Sequence, residues 1–114
     1  HLKNLGDCTI EDFCEMIKEL VNLIGEDNIG IGSDLCLNWP DDVVMWMRNG
    51  KWTKNIDYGE SKDKNPKWPK LPSWYKQPSD LNNLFYLMCE NNIPEKVSTK
   101  IIGQNWFNFM KNQF

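Results

Sequence analysis

Few side chains in this sequence sit where their type and spacing could do chemistry, and one acid leads them. Asp34 closes the run Asn28-Ile29-Gly30-Ile31-Gly32-Ser33-Asp34. Read as a short strand, the run turns Ile29, Ile31 and Ser33 to one side and Gly30, Gly32 and Asp34 to the other. The first face is apolar enough to lie under a helix. The second is bare backbone that ends in a single carboxylate. Glycines weaken a strand interior, so two of them imply that something approaches the backbone closely. An acid at the C-terminal end of a barrel strand lies at the mouth, where barrel enzymes keep their chemistry. The competing reading is an edge strand whose Asp34 starts a turn through an Asx-type hydrogen bond.

The other reactive groups do not assemble into a motif. Cys8, Cys14, Cys36 and Cys89 match no zinc spacing, and the single histidine, His1, leaves the chain short of ligands for a metal site of its own. Cys14 and Cys89 fall inside helical apolar patterns, which favours buried thiols over disulfides. A net charge of -3, from 13 basic and 16 acidic residues, gives no global field for nucleic acid. No window approaches the roughly eighteen apolar residues of a membrane span. No signal-peptide pattern opens the chain, and no lipid-anchor tail closes it. The 114 residues suffice for one small domain.

Around the Asp34 run the elements are legible. Thr9 is an N-cap, and Phe13, Met16, Ile17, Leu20, Val21 and Ile24 repeat at helical spacing up to a stop at Gly25. Only Glu26 and Asp27 then separate this helix from the strand, which is an αβ step of a parallel architecture. Pro40, Asp41 and Asp42 open a helix through Arg48 that stops at Gly50. From Lys51 to Pro78 prolines forbid a long helix, and Trp52, Tyr58, Trp68, Trp74 and Tyr75 are interleaved with lysines. Ser79 is expected to cap a helix with Leu81, Leu84, Phe85 and Met88 on its core face. Pro94 opens another helix bearing Val97, Ile101 and Ile102, with Gly103 as its stop and Asn105 as a cap before a last short helix. One strand cannot make a sheet, so either the strand is lost in isolation or the rest of that sheet lies upstream of His1.

Two stretches carry a resemblance to a known family. Thr9 to Asp34, with Gly25-Glu26-Asp27-Asn28-Ile29-Gly30-Ile31-Gly32-Ser33-Asp34, resembles the last helix-to-strand step of the renal (membrane) dipeptidase family of zinc metallopeptidases. Ile101-Ile102-Gly103-Gln104-Asn105-Trp106 is similar to the Ile-Leu-Gly-x-Asn-Phe/Trp motif near that family's end. The order is right, and the two stretches cover roughly half of the chain. The resemblance implies an α/β fold in which this chain is the C-terminal portion of a (β/α)8 barrel of the amidohydrolase type. Residues 1–34 would be the last helix and strand, 35–78 the active-site loop region, and 79–114 the terminal helices.

The resemblance also implies an activity. The full-length protein would be a dipeptidase that hydrolyses dipeptides with a binuclear zinc centre, its ligands lying upstream of this chain. The segment alone would be inactive and hold no metal. Asp34 would bind the substrate's free amino group and pass a proton to the leaving amine, which suits a carboxylate. Cys36 and Trp39 are further candidates for substrate contact, against a small buried hydrophobe and a core aromatic. Where the family continues Gly-Ser-Asp with Phe-Asp-Gly, this chain has Leu35, Cys36 and Leu37, and its 51–78 loop is expanded; both changes bear on the substrate. A dipeptide substrate, a homodimer, no nucleic acid, no membrane anchor in this segment, and the cytoplasm of a bacterium complete the expectation. The alternative is a small non-catalytic binding module that uses the Lys/Trp/Pro-rich loop 51–78.

Overall fold

A computed structural model describes residues 2, 4–49 and 67–113. The chain divides into two compact units, one made of His1–Leu35 with Leu71–Phe114 and the other of Cys36–Lys70.

The first unit begins with a 3-10 turn, Leu5–Asp7, and then α1, Ile10–Ile24. The Thr9 hydroxyl accepts the Asp12 N–H at 3.1 Å, which satisfies one of the free donors at the helix start. At the other end Gly25 takes φ 84 and donates to the Val21 carbonyl at 2.9 Å. A Cβ there would strain the backbone, so glycine suits the stop. Phe13, Cys14 and Ile17 are buried on the inner face, while Leu20 and Ile24 are exposed.

A second 3-10 turn, Glu26–Asn28, delivers the chain to Ile29, whose φ of -116 and ψ of 132 are extended. Here the expectation needs correction. Among the described residues there is no β-strand, so the chain is helical and not α/β, and it does not resemble part of a (β/α)8 barrel. The physical reason is the missing neighbour. A strand exists through its ladder, and among the described residues no other segment pairs with 29–33 to form one. What the pattern marked as a strand is an extended arm. Its side-chain alternation is nevertheless real: Ile29 is buried with Phe13, Cys14 and Ile17, and Ile31 packs at the edge of the same cluster.

The chain re-enters this unit at Leu71. Trp74 stacks on Phe13 with ring centroids 4.8 Å apart and donates its indole N–H to the Cys8 carbonyl at 2.9 Å. It thereby pins the returning segment to the start of α1. Next comes α3, Asp80–Glu90, which buries Leu84 and Met88. Ser79 does not cap it through its side chain. Instead the Asp80 carboxylate accepts the N–H groups of Lys76 and Gln77, at 2.8 and 3.1 Å. The end of α3 is a Schellman turn. Asn92 sits at φ 62, the Ile93 N–H reaches the Met88 carbonyl at 3.0 Å, and the Asn92 N–H reaches the Cys89 carbonyl at 3.1 Å. Met88 and Ile93 are both buried, the apolar contact that accompanies this turn.

The last helical stretch comprises α4, Glu95–Thr99, a π-turn, Lys100–Gln104, and α5, Asn105–Gln113. Gly103 does not stop it; the chain passes through Gly103 in helical conformation, and Asn105 is itself helical at φ -66, ψ -41. Val97, Ser98 and Ile101 are buried, α4 packs on α3, and the Ser98 hydroxyl donates to the Ile93 carbonyl at 3.5 Å.

The second unit contains α2, Asp42–Asn49, entered through Pro40 and Asp41 as the composition predicts. Trp68 donates to the Pro40 carbonyl at 3.2 Å. The expected stop at Gly50, and the loop from Lys51 to Pro66 including Trp52 and Tyr58, lie outside the described residues.

Candidate functional site

Asp34 stands at the end of the extended arm, and the way the arm is held defines the site. Three carbonyls of the stretch 26–31 accept from side chains near the start of α5. Asn105 donates its amide to the Glu26 and Ile29 carbonyls at 2.7 and 2.8 Å, and the Trp106 indole N–H reaches the Ile31 carbonyl at 3.0 Å. In an extended chain the carbonyls of residues i and i+2 point the same way, so Ile29 and Ile31 offer theirs to one partner. Asn105 and Trp106 thus satisfy groups that a neighbouring strand would otherwise take.

The π-turn sets that partner in place. The Asn105 N–H bonds to the Lys100 carbonyl, five residues back. Residues five apart therefore stack, where in an α-helix those four apart would, and Lys100 and Asn105 come to one face. Lys100 uses that position to hold both acids of the 3-10 turn, Glu26 at 2.5 Å and Asp27 at 2.6 Å. The hydrogen bonds that Lys100 donates to Asp27 and then to Glu26 raise its ammonium above the usual lysine range.

Gly30 is where the indole comes closest. A Cβ on Gly30 would lie 2.5 Å from the Trp106 Nε1 and 2.9 Å from its Cε2. The expected close approach to the bare backbone is thus that of Trp106. Gly32 has nothing within 4 Å of its Cβ position. Beside this contact lies an open groove of about 340 Å³, lined by Asp27, Ile29, Gly30, Trp106 and Phe109 among others.

Beyond Ile31 the arm is free of these anchors. Ser33 and Asp34 are exposed, the Ser33 hydroxyl accepts the Leu35 N–H at 3.4 Å, and Asp34 adopts φ 46. Such a conformation is uncommon outside glycine, and Asp and Asn tolerate it best. Cys36 and Trp39, the other expected substrate contacts, belong to the second unit, where both are exposed. Cys14, by contrast, is buried, and loss of solvent pushes its thiol up to about 11, so it is no nucleophile.

Among the described residues no group of three or more His, Cys, Asp or Glu side chains could hold a metal ion. These residues do not fit a binuclear zinc centre, and His1 lies outside the description. Among the described residues, too, no helix is long and apolar enough to cross a membrane. Sequence reasoning missed Lys100, took Asn105 for a cap, and gave Trp106 no contact with the arm. Their signal was Gly30, a side-chain-free position in an otherwise apolar extended run. Compared with known proteins, the chain matches no family model, no curated protein and no solved structure.

Proposed function

We propose that this chain contributes the substrate-amine subsite of a dipeptide-hydrolysing zinc enzyme. The observation that carries the reading is the joining of its two motif stretches. Asn105 and Trp106, from Gly103-Gln104-Asn105-Trp106, bond to the carbonyls of Glu26, Ile29 and Ile31, in and beside Asn28-Ile29-Gly30-Ile31-Gly32-Ser33-Asp34. Stretches that lie more than seventy residues apart in sequence form one feature, and that feature ends in an exposed carboxylate.

In this reading Asp34 does what an exposed carboxylate can do without help from other groups of the chain. It receives the ammonium end of a dipeptide through a charge-assisted hydrogen bond and carries a proton to the departing amine. The zinc ions would sit on residues outside this chain, and the segment alone is inactive.

The test is dipeptide hydrolysis by the full-length protein and by Asp34→Asn, with metal content and melting temperature measured on both. A group that transfers a proton is worth on the order of a hundred- to ten-thousand-fold in rate, so a loss of that size is expected. Metal content and melting temperature should hold, because an isosteric change at an exposed position removes no core contact. Full activity in Asp34→Asn ends the assignment. Loss of activity together with metal makes Asp34 a ligand instead.

A further inference from the structure

We propose that Asn105 and Trp106 are positioning residues, which hold the 3-10 turn at Glu26 and the arm from Ile29 to Ile31 and thereby set where Asp34 stands. This rests on the reading of Asp34 as the amine-binding acid.

Among the described residues the arm has no neighbouring strand, which is what normally fixes an extended segment. Side chains supply the substitute at two of its carbonyls, Asn105 at Ile29 and Trp106 at Ile31, and Asn105 also takes the Glu26 carbonyl of the turn before it. The bonds are 2.7 to 3.0 Å long, within the range of well-formed hydrogen bonds. Two further features fix the register of the clamp. Lys100, on the same face of the π-turn, ties down Glu26 and Asp27 at the arm's entry. Gly30 lets the indole lie against the backbone, so the Trp106 N–H can reach Ile31 over a position that any larger residue would block.

The clamp ends at Ile31. Gly32 touches nothing at its Cβ position, and Ser33 and Asp34 are exposed. The Trp106 bond is therefore the last anchor, three residues before the acid, and Gly32 is the pivot beyond it. An acid that must meet an ammonium group within hydrogen-bond reach cannot swing on a free arm, because small misplacements cost large factors in rate. Removing the last anchor lengthens the lever.

The experiment uses Trp106→Phe and Asn105→Ala in the full-length protein. The first keeps an aromatic ring against Gly30 but removes the N–H donor; the second removes both amide bonds. The main readout is the ratio of kcat/KM for a dipeptide to that for its N-acetylated form, which lacks the ammonium. A merely destabilised enzyme loses both activities equally, so the ratio would not move. For a positioning role it falls by about tenfold, the effect of one neutral hydrogen bond. The second readout is the order parameter of the Gly32 amide from nitrogen relaxation. It should drop below about 0.6, as in flexible backbone, while amides in α3 stay rigid. A ratio unchanged in both variants of an active, discriminating enzyme overturns the proposal. If the wild type cleaves no dipeptide, the proposed function has failed and Gly32 decides the clamp alone. A drop confined to the arm upholds it as the arm's anchor, and an unchanged order parameter overturns it.

Discussion

Gly30→Ala is the smallest change that probes the contact between the arm and α5. Its Cβ would stand 2.5, 2.9 and 3.0 Å from Nε1, Cε2 and Cδ1 of Trp106. Ordinary contact needs about 3.5–4.0 Å, so the indole must retreat by roughly 1 Å. Trp106 is 44% exposed and has room to move outward. Moving, however, breaks or stretches its bond to the Ile31 carbonyl, a loss of about 0.5–1.5 kcal/mol. Strained packing adds about 1 kcal/mol, the low end for an inserted methyl because the ring can yield. Against this, alanine restricts the unfolded chain and returns about 0.4–1 kcal/mol, since Gly30 is not among the residues at positive φ. The net expectation is a destabilisation of about 0.5–2 kcal/mol, read as a lower urea midpoint with an unchanged slope. Gly32→Ala is the internal control. Nothing lies within 4 Å of its Cβ, so the same substitution two residues on should be neutral or slightly stabilising. In a Trp106→Ala background the cost of Gly30→Ala should vanish, because the clashing ring is gone. Equal effects at Gly30 and Gly32, or an undiminished cost without the indole, would refute the close approach and with it the clamp.

Two other outcomes follow from the titratable groups. Asp80 accepts the Lys76 and Gln77 N–H groups, and the Lys76 bond above all holds its carboxyl below the usual range. A depressed folded pKa contributes stability that is present above the unfolded value, near 3.9, and lost as pH falls through the folded one. Urea midpoints taken down the acid side should therefore drop less in Asp80→Asn than in the wild type, and an identical acid limb would sink the idea. Among the thiols, Cys36 is exposed, while Cys8 and Cys14 are 2% and 1% exposed and Cys14 is pushed up to about 11. Brief alkylation of the native protein at pH 8, mapped by mass spectrometry, should mark Cys36 and spare Cys8 and Cys14. Rapid labelling of Cys14 would contradict its burial.

What the sequence disclosed and what it hid divide along one physical line. Helix α1 was legible from Thr9 to Gly25, because cap, apolar period and stop are all local signals. The conformation of the arm was legible for the same reason: alternation put Ile29 in the core and left Gly30 for a close neighbour. Pairing was not, since a ladder depends on a second segment that no local pattern can guarantee. The π-turn was hidden as well. Gly103 looks like a stop, and only the five-residue spacing of the Asn105-to-Lys100 bond shows the chain running through it. Asn105 was misjudged in consequence. Taken as a cap, it should serve its own helix; rotated by the π-turn, it serves the arm instead. Ser79 failed similarly, because a cap residue at φ -64, ψ -19 is already helical, and Asp80 takes over the turn before it. Asp34 shows the two kinds of information meeting. Its place at the end of a glycine-bearing run is local and was visible. The neighbours that hold that run were not, for they enter from more than seventy residues away. A glycine in an apolar extended run is thus best read as a question about which side chain fills the space. Here Trp106 fills it, and its reach to Ile31 makes the fold of α5 a condition on where Asp34 points.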